Sequence, residues 1–235
     1  MPVRSTPSAL PAARADAVLF DMDGLLIDSE PLWTVAEIEL AEHLGGAWSE
    51  QIKARIVGTR LDRAVEAILE CYDVPRSPAD IATAMTFLLD RMVELFDTDL
   101  PLMPGARELL DGVRALGVPT ALVSSSYRVL VDAALPWLAP IRFDATVAGD
   151  DVRHGKPSPE PYLVASRRLG VDPGRCVVVE DAMSGVLSGE AAGATVVAVP
   201  WAAPIEATPT RPVVPALTSI SAEWLVAPLS RAWDS

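Results

Sequence analysis

Residues 17–24 read Ala17-Val18-Leu19-Phe20-Asp21-Met22-Asp23-Gly24, four apolar positions that end in two carboxylates two residues apart. An apolar run of that length is too short for a buried helix and fits a strand covered on both faces. Alternate residues of a strand share a face, and where the chain leaves the strand Asp21 and Asp23 can converge on one small volume. Like charges held that close raise each other's pKa unless a cation or a proton intervenes. A cation would give an electrostatic template; a proton would give a general acid. A plain hydrophilic turn opened by Gly24 is the competing account, and the rest of the chain decides between them.

Runs of the same kind recur at Thr120–Val123, Ala145–Ala148, Cys176–Val179 and Thr195–Val199. Between them lie helical patterns with start and stop signals: Pro104 to Leu116 before Gly117, Pro159 to Leu169 before Gly170, and Ser184 to Ala192 before Gly193. Doubly apolar strands alternating with helices predict an α/β fold, a doubly wound parallel sheet with a Rossmann-like core. From Pro31 to Leu100 the alternation stops, and only helical patterns appear: Leu32 to Leu44, Leu61 to Tyr72 and Pro78 to Phe96. The expected division is therefore a core of residues 15–29 and 101–235, an inserted helical-bundle cap over 30–100, and a loose extension over 1–14. The insertion leaves the chain just after strand one, at the sheet edge where open α/β sheets bind ligands, so it is placed to act as a lid.

Composition narrows the partners. The 235 residues are 50% hydrophobic, enough for a sizeable core, and carry a formal net charge of −13 with no Lys/Arg cluster. That balance argues against nucleic acid or an anionic membrane surface. No apolar run reaches membrane length, and Met1–Arg14 lacks the apolar stretch of an export signal, so the expectation is a soluble cytoplasmic protein. Cys71 and Cys176 are too few for a disulfide framework or a zinc site and read as reduced thiols.

If the runs are parallel strands, the residues after them share one edge. Asp21 and Asp23 follow the first, Ser124-Ser125-Ser126 the second, Lys156 the third after a loop, and Glu180-Asp181 the fourth. Carboxylates with Asp181 among them can hold a hard divalent cation, and magnesium is the usual one beside a phosphate. Ser124 and nearby backbone N–H groups can donate to phosphoryl oxygens, and Lys156 supplies a compact positive charge. A carboxylate so neutralised can attack phosphorus.

Four motifs in this order resemble those of the haloacid dehalogenase-like phosphohydrolases with a helical cap. They are Asp21-Met-Asp23-Gly24 continuing to Asp28-Ser29-Glu30, then Ser124, then Lys156-Pro157, then Glu180-Asp181 with Gly185 and Ala192-Gly193. The resemblance implies Asp21 as nucleophile and Asp23 as general acid, then base. It implies magnesium on Asp21, the Asp23 carbonyl and Asp181, with Glu180 either a ligand or a support behind the ligands. Ser124, Lys156 and the backbone of Ser125 would bind the phosphate of a small phosphorylated metabolite, and the protein would work as a monomer. Within the family, Asp28 to Trp33 is similar to a run in bacterial sugar-phosphate and hexitol-phosphate phosphatases. Beta-phosphoglucomutase is the competitor. Trp33 stands where the mutase has a histidine, and Leu61 where it has a cap arginine, with Arg60 one residue early, which favours hydrolysis. Both aspartates and the metal carboxylate argue against a dehalogenase.

Arg60 is a candidate substrate contact or a solvated helix-start arginine, and Trp33 and Trp48 read as core before pocket. His43 reads as surface, His154 as a loop residue, and Asp150-Asp151 as a structural turn near Lys156.

Overall fold

A computed structural model of the chain describes residues 14–56 and 59–227. The extension expected over 1–14 lies outside these residues except for Arg14, whose guanidinium donates to the Leu116 carbonyl. Five strands, β1 (Ala17–Phe20), β2 (Thr120–Val123), β3 (Ala145–Val147), β4 (Cys176–Glu180) and β5 (Thr195–Ala198), pair in parallel in the order β3-β2-β1-β4-β5. Every strand run of the sequence is recovered within two residues of its expected ends.

Period two divides each strand between two apolar layers. Val18, Phe20, Leu122, Val177 and Val179 join one cluster, with Leu109, Leu110 and Val113 of α5 (Ala106–Ala115) and Leu225 of α9 (Ala222–Leu225). Ala17, Leu19, Val123, Cys176 and Val178 join the other, with Tyr162 and Ala165 of α7 (Glu160–Leu169) and Val186 of α8 (Met183–Ala191). Burial on both sides is why these strands are apolar throughout and do not alternate with polar residues.

The described residues between 30 and 98 carry helices α1 (Glu30–His43), α2 (Glu50–Ile56), α3 (Leu61–Cys71) and α4 (Pro78–Thr98). The sequence patterns recover α1, α3 and α4 but not α2. The last of these begins with a capping box in which Ser77 and Asp80 satisfy each other's backbone N–H groups. Helix α4 packs on α1, α3 and α6 (Arg128–Ala134). The buried side of this bundle, including Leu40, Ile68, Leu88 and Phe96, is continuous with the first sheet cluster through Leu26, Ile27 and Leu100. Among the described residues no helix is long and apolar enough to cross a membrane. Cys71 and Cys176 are free thiols, as read from the sequence.

Candidate active site

The strand order reverses direction at β1, which has β2 on one side and β4 on the other. Open α/β sheets form their ligand crevice at such a point, beyond the carboxyl ends of the strands. Phe20 lies opposite Val179, and the Asp21 N–H continues the ladder by donating to the Val179 carbonyl at 3.1 Å. Asp21 falls on the face of Ala17 and Leu19, and Glu180 on that of Cys176 and Val178. Both therefore point toward side chains brought in by α7 and the loop before it.

Lys156, on that loop, spends all three ammonium protons on the protein. It donates to Asp21 Oδ1 at 2.5 Å, to Glu180 Oε1 at 2.6 Å and to the Val123 carbonyl at 2.9 Å. Its side chain is 4% exposed. The Tyr162 hydroxyl donates to the same Glu180 oxygen at 2.6 Å. Glycines make room for the carboxylates. A Cβ on Gly185 would stand 1.7 Å from Glu180 Oε1, and one on Gly24, at φ +82°, would stand 2.4 Å from Asp181 Oδ2.

Asp23 is held differently. Its Oδ1 accepts from the Ser29 hydroxyl at 2.7 Å, and its Oδ2 from the hydroxyls of Ser124 and Ser126, both at 2.9 Å. The Ser126 N–H in turn donates to Ser124 Oγ at 2.9 Å. Ser125 is exposed and lines a cleft together with Ser124 and Lys156. Arg60 and Leu61, from the helical segment, and Tyr127 line the same cleft.

Charge at the site does not balance. One oxygen each from Asp21, Glu180 and Asp181 lie within 4.8 Å of one another, all three residues buried. Burial, and then the Glu180, Asp181 and Asp23 carboxylates, push Asp21 well above the usual carboxylate range against the pull of Lys156. Burial and Glu180 likewise push Asp181 up to about 7. Burial alone would lower Lys156, but Asp21 and Glu180 outweigh it and hold the ammonium well above its ordinary value. These directions describe one excess: a single protonated lysine faces three carboxylates, so a proton or a second cation must share the pocket. A set of buried hard oxygens with surplus negative charge is what a divalent cation such as magnesium requires.

The structure thus gathers Asp21, Asp23, Ser124, Ser125, Lys156, Glu180 and Asp181 at one sheet edge. The Asp23 carboxylate faces the serines and is not one of the three clustered oxygens. Trp33 and Trp48 pack against the main core. His43 stacks on Phe87, with ring centroids 5.4 Å apart. His154 Nδ1 lies 3.0 Å from Glu160. Asp150 accepts from the Arg128 N–H at 2.7 Å, and Asp151 from the Arg128 and Arg168 guanidiniums at 2.5 and 2.9 Å, which makes them structural. Sequence reasoning gave no role to Ser29, Ser126 or Tyr162. The first two lie inside motifs already quoted, whereas Tyr162 sits in a helix that reads as ordinary core. A shallow hollow on α3, among Arg63, Glu66, Glu70 and Arg76, contains exposed ion pairs and none of these residues.

The fold is an α/β one with a Rossmann-like core, and its crevice gathers carboxylates, hydroxyls and one lysine. Residues 15–193 match the haloacid dehalogenase-like hydrolases, and the chain belongs to that family. Hexitol phosphatase B of Escherichia coli strain K12 is 33% identical over 199 residues, covering 83% of this chain and 86% of that protein. A bifunctional riboflavin kinase/FMN phosphatase of Arabidopsis thaliana is 33% identical over 191 residues, 79% of this chain, and the match spans only 48% of that protein. Among solved structures, CbbY from Rhodobacter sphaeroides in complex with phosphate matches with a TM-score of 0.77 at 27% identity, over 87% of this chain and 96% of that one.

Proposed function

We propose that the protein is a magnesium-dependent phosphatase that hydrolyses a small phosphorylated metabolite, a sugar or polyol phosphate, through an aspartyl-phosphate. The observation that carries this reading is the convergence of Asp21, Lys156 and Asp181 beyond β1, β3 and β4, with Asp23 beside them on its own hydrogen bonds. The phosphatase activity of the hexitol-phosphatase relative supports it.

Asp21 and Asp181 would hold the cation, with the Asp23 carbonyl and Glu180 as further oxygens. When bound, magnesium neutralises the pocket and lets an anionic nucleophile approach an anionic phosphoryl group. Asp21 attacks phosphorus, the bond from phosphorus to the ester oxygen breaks, and that oxygen takes a proton from Asp23. Asp23 then removes a proton from water, whose oxygen attacks the same phosphorus; the bond to Asp21 breaks, and inorganic phosphate leaves. Ser124 and Lys156, with the Ser125 N–H, would bind the phosphoryl oxygens. For this the Ser124 hydroxyl has to turn from Asp23 to the substrate, and the Lys156 ammonium has to give up one of its three protein acceptors.

The helical segment 30–100 serves as a cap over the 15–29 and 101–235 core, with Arg60 and Leu61 as its contribution to the cleft. Leu61 presents an apolar wall at the position where the mutase pattern has its cap arginine, with Arg60, whose Nε lies 3.4 Å from Asp62, one residue early. That favours water over a second sugar oxygen as phosphoryl acceptor, against a mutase. We place the enzyme in the cytoplasm as a monomer. Incubation with magnesium and a panel of sugar and polyol phosphates tests the reading. Release of inorganic phosphate supports it, an isomerised sugar phosphate replaces it with a mutase, and neither product leaves a non-catalytic binding protein.

A further inference from the structure

Tyr162 is the largest fully buried side chain among the described residues, and it lies on α7 within the second sheet cluster. A phenylalanine would fill the same apolar space without having to satisfy a hydroxyl. A buried hydroxyl is costly unless it is bonded. Here it is spent on the site: the phenol donates to Glu180 Oε1 at 2.6 Å, and the Lys156 ammonium sits 5.2 Å from the ring centroid. Tyr162 therefore touches both members of the Lys156–Glu180 pair, while Lys156 alone reaches Asp21.

The chain of contacts runs Tyr162 Oη to Glu180 Oε1, Glu180 Oε1 to Lys156 Nζ, and Lys156 Nζ to Asp21 Oδ1. Glu180 Oε1 is shared between two donors, and its Oε2 has a longer contact at 3.4 Å, from the Ala182 N–H. Without the phenol, Glu180 loses the donor that fixes its rotation, and Lys156 becomes the chief donor on a carboxylate that competes with Asp21 for it. Aiming a side chain through its neighbours is how the surroundings of a site set its precision.

We propose that Tyr162 is a positioning residue of the phosphoryl-transfer site: its hydroxyl holds Glu180 as the fixed counter-ion of Lys156, which keeps the ammonium aimed at Asp21 and the incoming phosphate. The proposal rests on the phosphatase reading above.

The test is the Tyr162→Phe variant of the full chain, assayed with magnesium on a sugar phosphate that the wild type hydrolyses. It is paired with Glu180→Met, which removes the acceptor of the phenol, and with the double variant. A Val178→Ala variant, which opens a cavity in the same apolar layer without touching the polar chain, controls for loss of packing. The expected result is a kcat lowered about tenfold, an order set by one lost hydrogen bond to a charged group, with KM within twofold of wild type. The same substitution should cost less than twofold in the Glu180→Met background, which has no acceptor for the phenol, because a positioning group acts only through its partner. Full kcat in Tyr162→Phe overturns the role. So does an equal loss in both backgrounds, a matching kcat loss in Val178→Ala, or a Tyr162→Phe variant that does not fold, since each assigns the phenol to stability alone. A wild type that turns over no phosphate ester sinks the phosphatase reading itself, whereas an active wild type with an unaffected variant sinks only Tyr162.

Discussion

Lys156 Nζ lies 2.5 Å from Asp21 Oδ1 across a separation of 135 residues, and among the described residues it is the one cation held against the three buried carboxylates. The contact joins the end of β1 to the loop after β3, so one side chain both holds the site together and offsets its charge. Replacing Lys156 with Met should therefore damage stability and activity together. Removing one partner of a buried ion pair costs about 3–5 kcal/mol. Loss of a preorganised cation at the transferring phosphoryl group lowers turnover by about two to three orders of magnitude. Thermal melts and kcat/KM for a hydrolysed phosphate ester measure the two effects. A variant that keeps its melting temperature and activity within tenfold would remove Lys156 from both roles.

Asp181 gives the site a pH signature. Its folded pKa of about 7 lies above the ordinary carboxylate value that the unfolded chain would show. Between the two values the folded state holds a proton that the unfolded state has lost, so this stabilisation is complete below the lower value and disappears as pH rises through 7. Asp21, also pushed upward, acts in the same direction. With a chelator present, the melting temperature should fall from pH 6 to pH 8, by the equivalent of about 1 kcal/mol. Magnesium should bind the deprotonated carboxylates and so flatten that slope. Melts at three pH values with chelator or magnesium are sufficient, and a metal-free stability that rises across the window contradicts the assignment.

The two aspartates of the first motif should fail differently. Asp21→Asn removes the proposed nucleophile and should abolish turnover of every ester. Asp23→Asn removes a proton donor, worth about two to four orders of magnitude where the leaving oxygen needs a proton. A nitrophenyl ester has a leaving group that departs without one, so its first step should be far less impaired than that of a sugar phosphate. A pre-steady-state burst of nitrophenolate from Asp23→Asn, absent from Asp21→Asn, would separate the roles. Equal losses on both esters in both variants would argue that Asp23 serves only to organise Ser29, Ser124 and Ser126.

Much of this arrangement was legible in the sequence because the sheet is buried on both faces. Double burial makes each strand a short uniform apolar run, and after the first, second and fourth runs the next polar residues, Asp21, Ser124 and Glu180, fall at the same edge. Helices α2 and α6 were not read, because seven residues give too little periodicity to separate a helix from a loop. Asp21, Lys156 and Asp181 could be found from position and chemistry alone. That Asp23 would face three hydroxyls could not, because it depends on how Ser29 and the loop after β2 fold back over β1. Tyr162 was invisible for a related reason: its hydroxyl matters only because Glu180 shares a face with α7, and one strand's pattern does not reveal what packs over it.

Two glycines of the fourth motif should separate site geometry from backbone strain. Gly185 lies in α8, where alanine is intrinsically favoured by about 1 kcal/mol. Yet its added Cβ would stand 1.7 Å from Glu180 Oε1, and Glu180 is held by Lys156 and Tyr162 and has no easy retreat. Gly193 has open space around it but a φ of +87°, which penalises any side chain by about 1–2 kcal/mol. Gly193→Ala should therefore melt earlier and keep its kcat. Gly185→Ala should lose kcat by at least tenfold through displacement of Glu180, out of proportion to any change in melting temperature. Melts and initial rates on the purified variants make the comparison, and a Gly185→Ala enzyme with wild-type kcat would show that Glu180 can move without consequence for Lys156 and Asp21.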